Sequence, residues 1–178
     1  MKYTTNVEID VPRARAVELF TNPDHYATWQ ESLVSLERLE GEPGQVGTRT
    51  QLQHRMGKRE ITMLETITET SLPDAFSATY TAKGVFNQAT NRFSALDGDR
   101  TAWTMETEFR CSGMMWVLTT FAPGMFKKQT QAAMVAFKVF AEAEAAPETA
   151  PDELPSELQG ADDEGTGDEV AEGASEEV

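Results

Sequence analysis

Residues Met125–Ala145 can only sensibly form one helix, and that helix sets the terms for the rest of the chain. Phe126, Thr130, Ala133, Phe137, Phe140 and Glu144 recur at alternating steps of four and three. That spacing puts them on one helical face, apolar except for Thr130 and the final Glu144. Lys127, Lys128, Gln131 and Lys138 occupy the opposite, solvated side. Pro123-Gly124 stands immediately before and stops any helix over residues 113–122 from running straight through. A helix with several phenylalanines on one face needs a broad apolar surface to lie against. The preceding residues must supply it.

They do so by alternation. Tyr3, Thr5, Val7, Ile9 and Val11 share one face of a first strand, opposite Lys2, Thr4, Asn6, Glu8 and Asp10. Pro12 ends it, and Ala14, Val17, Leu19 and Phe20 predict a short helix that halts near Asn22-Pro23. Asp24–Gln30 reads as another helical turn, bearing Tyr26 and Trp29. A second strand spans Leu33–Leu39, and Gly41-Glu42-Pro43-Gly44 ends it. Thr48–Met56 alternates again and turns at Gly57-Lys58 into a strand carrying Ile61, Met63, Glu65 and Ile67 on one parity. Leu72-Pro73-Asp74 turns the chain into a strand with Phe76, Ala78, Tyr80 and Ala82 facing in. Val85–Leu96 is the sixth strand, and Asp97-Gly98-Asp99 leads into a seventh whose inner face is Trp103, Met105, Thr107, Phe109 and Cys111. The expectation is an α+β fold: a seven-stranded curved antiparallel sheet, two short helices and one long C-terminal helix over the sheet's apolar face.

Charge separates the chain into two parts. The stretch from Pro147 onward holds 12 of the 30 acidic residues and none of the 15 basic ones. Residues 1–146 therefore carry a net of −3 against −15 for the whole. The expected organisation is a ligand-binding domain over 1–146 and a disordered acidic tail over 147–178, too poor in large apolar side chains to offset chain entropy. Near-neutral overall and without a basic stripe, the domain is not expected to bind nucleic acid or anionic membranes. Cys111 is the one cysteine, so no intrachain disulfide or Cys-based zinc site is expected. The N-terminus lacks a signal-peptide core, and no stretch approaches the roughly 18 apolar residues that span a bilayer. A soluble cytoplasmic protein, monomeric or weakly dimeric, with no cofactor and no metal, is the expectation.

The order of elements and several local motifs resemble the START-like helix-grip superfamily, SRPBCC, and within it the polyketide cyclase/dehydrase and lipid-transport group. The residues that carry the resemblance are Val11-Pro12-Arg13-Ala14-Arg15-Ala16-Val17-Glu18-Leu19-Phe20, the Pro23-Asp24 to Trp29 segment and Gly44-Gln45-Val46-Gly47-Thr48. The Met56-Gly57-Lys58-Arg59 turn, Ile67-Thr68-Glu69 with Leu72-Pro73, and the amphipathic last helix add to them. The resemblance covers about residues 1–145. It implies a sheet gripping the last helix, with a hydrophobic cavity between the two. Lipid carriers, cyclases and chaperone co-activators share this fold, so the function stays open.

The chain shows no phosphate-cradling glycine loop, nucleophile elbow or paired helical histidines. Its informative feature is a polar set on inward parity. Strand pairing through the expected turns puts Thr50 opposite Glu65, Glu65 opposite Tyr80, and Tyr80 opposite Asn87, with Cβ atoms about 5 Å apart. His54 and Asn91 lie on the same face. A buried carboxyl is costly unless paired, hydrogen-bonded or protonated, so Glu65 between Met63 and Ile67 needs a reason. Either these groups orient the polar end of an apolar guest, or Glu65 sits at a solvated rim. Trp29, Phe76, Phe93, Trp103, Met105 and Phe109 either line a cavity or fill a core. Met114, Leu118 and Phe121 precede the Pro-Gly break, where they suit a movable gate or ordinary helix packing, and Phe126 and Thr130 face in from the last helix.

Three functions fit these residues. The leading one is binding, or transport, of a lipid or polyketide-like molecule, oriented by Glu65, Tyr80, Asn87 and His54. The second is a cyclase or dehydratase using Glu65 or His54 as acid/base with Tyr80 as donor. The third is a protein-interaction module like the chaperone co-activators.

Overall fold

A computed structural model describes residues 1–112 and 123–146. The expected gate residues Met114, Leu118 and Phe121 and the acidic stretch 147–178 lie outside the described residues.

The strands are β1 (Lys2–Ile9), β2 (Leu33–Glu40), β3 (Arg49–Met56), β4 (Arg59–Ser71), β5 (Ala75–Ala82), β6 (Val85–Leu96) and β7 (Arg100–Cys111). They form one antiparallel sheet in the order β1-β7-β6-β5-β4-β3-β2, which leaves β1 and β2 as its edges. From β2 onward each strand pairs with the next through a short turn, as the alternating pattern demands. Gly41 closes β2 with φ +85°, and a Cβ there would come within 2.8 Å of the Thr48 Cα, so only glycine fits. The Thr48 hydroxyl in turn donates to the Glu42 carbonyl and ties this loop to the start of β3.

Between β1 and β2 lie α1 (Arg13–Thr21), a 3-10 turn (Pro23–His25) and α2 (Tyr26–Trp29). Asn22 accepts from the Asp24 backbone N–H through its side chain, starting the second helical piece where Pro23 has stopped the first. The long helix α3 runs from Pro123 to Ala145.

The buried face of α3 differs from the expected one. Met134, Phe137, Phe140 and Ala141 are buried, whereas Ala133 and Glu144 are exposed. The helix leans along the edge of β1, which rotates its buried stripe towards the side expected to be solvated. Gln131 donates to the Asn6 carbonyl at 2.9 Å, Lys138 donates to the Glu8 carbonyl at 2.8 Å, and Glu142 accepts from the Asp10 N–H at 2.8 Å. Lys138 also pairs with Glu142. Polar side chains of α3 thus satisfy backbone groups of a strand that has no neighbour on that side.

The core is an aromatic cluster at one end of the sheet's inner face. Phe20 on α1 stands 5.2 Å from both Phe93 and Trp103, 5.7 Å from Phe137 and 6.0 Å from Phe76, ring centre to ring centre. Trp29 lies 5.1 Å from Phe137. Most of these pairs meet edge to face, the arrangement the ring quadrupole favours, each contributing about 0.5–1.5 kcal/mol beyond area burial.

Candidate functional site

The sheet register brings the inward polar set together. Arg38 is opposite Thr50, Thr50 opposite Glu65, Glu65 opposite Tyr80, and Tyr80 opposite Asn87. One continuous row of side chains therefore crosses five strands on the inner face. Just beyond it, a register shift between Ile67 and Glu69 interrupts the β4–β5 ladder, and the next inward residue of β5 is Phe76.

Glu65 is 9% exposed and forms no ion pair among the described residues. Burial pushes its carboxyl above the ordinary glutamate range, and a hydrogen bond from the Tyr80 hydroxyl only partly offsets this. Tyr80 is itself held well above the usual tyrosine range, first by burial and then by the neighbouring Glu65 charge. Tyr26, reaching in from α2, is raised for the same two reasons. Three ionisable groups thus stand close together, and burial raises the pKa of each. The Asn87 side-chain oxygen, at the end of the row, is buried without a partner among the described residues, and so is the indole N–H of Trp29. Orphaned groups of this kind are uncommon in folded proteins and mark places where a polar partner can be accepted.

A hollow of about 100 Å³ opens onto the Arg38, Thr50 and Glu65 part of this row, and Tyr80 and Asn87 are not among the residues lining it. Thr50, Glu65, Ile67 and Phe76 lie along its sheet side, and Tyr26, Thr21 and Pro23 form the helical wall. Leu36, Arg38, Gly44 and Leu72 complete it. No residue of α3 is among those lining it, so the hollow sits beside α1 and α2 rather than beneath the last helix, where the resemblance placed a cavity. The aromatic cluster explains the shift: Phe20, Trp103 and Phe137 occupy the space below α3 at that end. A larger hollow, about 380 Å³, is bordered by Lys2, Thr4, Gln88, Thr90, Glu106 and Glu108, which alternation places on the outer face. It is open and largely polar, and Tyr3 and Thr107 also border it, the Thr107 hydroxyl buried without a partner among the described residues.

The remaining candidates fall into three places. Trp29, Phe93 and Trp103 belong to the aromatic cluster. Asn91 is 2% exposed, accepts from the Trp103 indole at 3.0 Å and donates to the Phe76 carbonyl at 3.3 Å, so both ends of its amide are engaged within the protein. At the other end of the inner face Met63, Phe109, Phe126 and Thr130 are half-buried, with the Thr130 hydroxyl 2.8 Å from that of Tyr3, whereas the half-buried Met105 packs against the aromatic cluster. His54 is 3.0 Å from the Ser32 hydroxyl, and burial lowers its affinity for a proton. Reading by strand parity missed Tyr26 and Arg38. For Tyr26 a signal existed, since it precedes Trp29 by three residues and so shares its helical face.

The model of the polyketide cyclase / dehydrase and lipid transport family matches residues 1–142. The chain belongs to this family. Several solved structures superpose well on it at low identity. The Zhui aromatase/cyclase from Streptomyces sp. R1128 is 16% identical with a TM-score of 0.66, covering 81% of this chain and 94% of its own. TTHA0849 from Thermus thermophilus is 11% identical with a TM-score of 0.69, covering 82% and 100%. Ara h 8.0201 is 14% identical with a TM-score of 0.62, covering 80% and 98%. At these identities the likeness is one of fold. Comparison with curated proteins finds no match. No helix among the described residues is long and apolar enough to cross a membrane, and no three metal-binding side chains stand together there.

Proposed function

We propose that this protein binds a hydrophobic small molecule of lipid or polyketide-like character, and that the Glu65–Tyr80–Asn87 row holds a neutral oxygen of that guest. The observation that carries the reading is Glu65: a buried carboxyl on the inner face of the sheet, close to two tyrosines and without an ion pair among the described residues. Keeping such a group costs stability unless it serves the polar end of a ligand. A protonated carboxyl is a hydrogen-bond donor as well as an acceptor, and so suits a hydroxyl or carbonyl. The family's two activities, carrying and cyclising, differ only in whether the bound molecule reacts. The raised proton affinity of Glu65 favours the second as an alternative, because a carboxyl that holds its proton more tightly than usual is better suited to protonate a carbonyl. Within this reading the protein is cytoplasmic, monomeric or weakly dimeric, and without a nucleic-acid partner.

Mass spectrometry of freshly isolated, denatured protein is expected to release a hydrophobic compound that Tyr80→Phe retains in smaller amount. Protein that emerges empty from a native source, and gains nothing on incubation with cell lipid extract, defeats the reading. If a compound is found, Glu65→Gln separates the two activities: a carrier keeps turnover-independent binding, and an enzyme keeps binding but no longer converts its substrate.

A further inference from the structure

Arg38 is the one arginine that lines the buried hollow. It is exposed, at the edge strand, and its register position opposite Thr50 puts it on the same inward row as Glu65. Seven of the other arginines have a carboxylate within 4 Å: Arg13 with Asp74, Arg15 with Glu18, Arg49 with Glu40, Arg55 with Glu60, Arg92 with Glu106, Arg100 with Glu8, and Arg110 with Glu108. Arg38 has none among the described residues. The acids beside it in sequence do not reach inward, since Glu37 and Glu40 pair with Gln51 and Arg49 on the outer parity.

Size and surroundings fix what such a site can take. An engineered apolar cavity of about 150 Å³ holds a benzene molecule, so about 100 Å³ admits a few carbons and not a ring system. The rest of a guest must lie over the rim, where Leu36 and Leu72 are 36% and 40% exposed. From Arg38 to Glu65 is two strand spacings, about 10 Å. A guanidinium presents a planar fork that matches a carboxylate or a phosphate, both oxyanions.

We infer that the hollow between α1–α2 and β2–β4 takes a chain-like guest with an oxyanion head, which Arg38 binds at the rim, and a hydroxyl or carbonyl several carbons away, which reaches Glu65. The inference rests on the proposed binding of a neutral oxygen at Glu65 and adds the charge and polarity of the other end. It also moves the opening from beneath the last helix to the side of the sheet. Arg38, without a carboxylate partner among the described residues, selects for an anion that arrives with an apolar chain.

Two probes of equal length test it on the full chain: 8-hydroxyoctanoate and 1,8-octanediol, titrated while the backbone amide resonances are followed. Both are expected to shift the amides of Leu36, Gly44 and Thr50, with the acid bound about tenfold more tightly than the diol. Arg38→Gln, at an exposed position that does not endanger folding, should abolish that preference and leave the diol affinity unchanged. Octyl phosphate against octanoate then tells which oxyanion is preferred. Equal affinity for acid and diol in the wild type, or a preference that survives Arg38→Gln, overturns the role of Arg38 while the Glu65 reading stands. If neither probe shifts these amides, the Glu65 reading fails and the inference falls with it.

Discussion

The two ends of the sheet's inner face obey the same alternation yet turn into opposite things. At one end Phe20, Trp29, Phe76, Phe93, Trp103 and Phe137 interlock, and the Asn91 amide among them is satisfied on both sides, while the Trp29 indole N–H has no partner among the described residues. Across the middle of the same face the row from Arg38 to Asn87 keeps a carboxyl, a raised phenol and an amide oxygen without a partner among the described residues, and its Arg38, Thr50 and Glu65 border empty space together with Tyr26. The difference lies in what crosses above. Helix α1 delivers Phe20 and α3 delivers Phe137 onto the first end, whereas α2 delivers Tyr26 beside the second. A polar group is kept cheaply only where the cover leaves it a partner or a gap. In this molecule the closed end supplies stability, and the row next to it is free to hold chemistry that stability alone would remove.

Three changes would break or sharpen that contrast. The largest effect is expected from Phe137→Ala, which removes a fully buried ring touching Phe20, Trp29 and Trp103. Denaturant unfolding should show a loss of about 3–5 kcal/mol. A loss below about 1 kcal/mol would mean that the cluster is not what holds α3 to the sheet. Next is Trp103→Phe, which keeps most of the ring but strands the Asn91 side-chain oxygen in the core. About 1–3 kcal/mol should be lost, measured the same way. A neutral outcome would show that water reaches this end, and the contrast with the hollow would weaken.

The smallest effect has the opposite sign. Because burial raises the Glu65 pKa, folding favours its protonated form. Its contribution is therefore fully present below the ordinary glutamate pKa and is lost as pH rises through the elevated value. Glu65→Gln should accordingly be more stable than wild type at pH 7, by on the order of 1 kcal/mol, and the gap should close towards pH 4. Parallel stability curves for the two proteins over that range would show that Glu65 is solvated and ordinary, and would remove the distinction between the ends.

Much of this was legible in the residues. Alternation with short turns predicts seven strands and their pairing, and therefore predicts the neighbours Thr50, Glu65, Tyr80 and Asn87, because in an antiparallel ladder turn length sets register and register sets which side chains meet. The face of α3 was legible only in part. Phe137 and Phe140 face in as spacing requires, but Ala133 yields its place to Met134, since the helix is rotated by hydrogen bonds from Gln131, Lys138 and Glu142 to the edge of β1. Local periodicity carries no information about a partner more than a hundred residues away. Arg38 and Tyr26 escaped notice for a related reason: one is a charged residue on an edge strand, the other an aromatic in a four-residue helix, and neither pattern points anywhere until the chain closes.

Sequence alone determined the elements, the pairing of successive strands and the inward placement of a carboxyl, because all three follow from periods of two and 3.6 read over short windows, whereas the pairing of β1 with β7 does not. Only the tertiary structure decided where the hollow lies. That depends on how far three helices fill one face of a sheet, a matter of summed side-chain volumes brought together from distant parts of the chain, which no local pattern encodes.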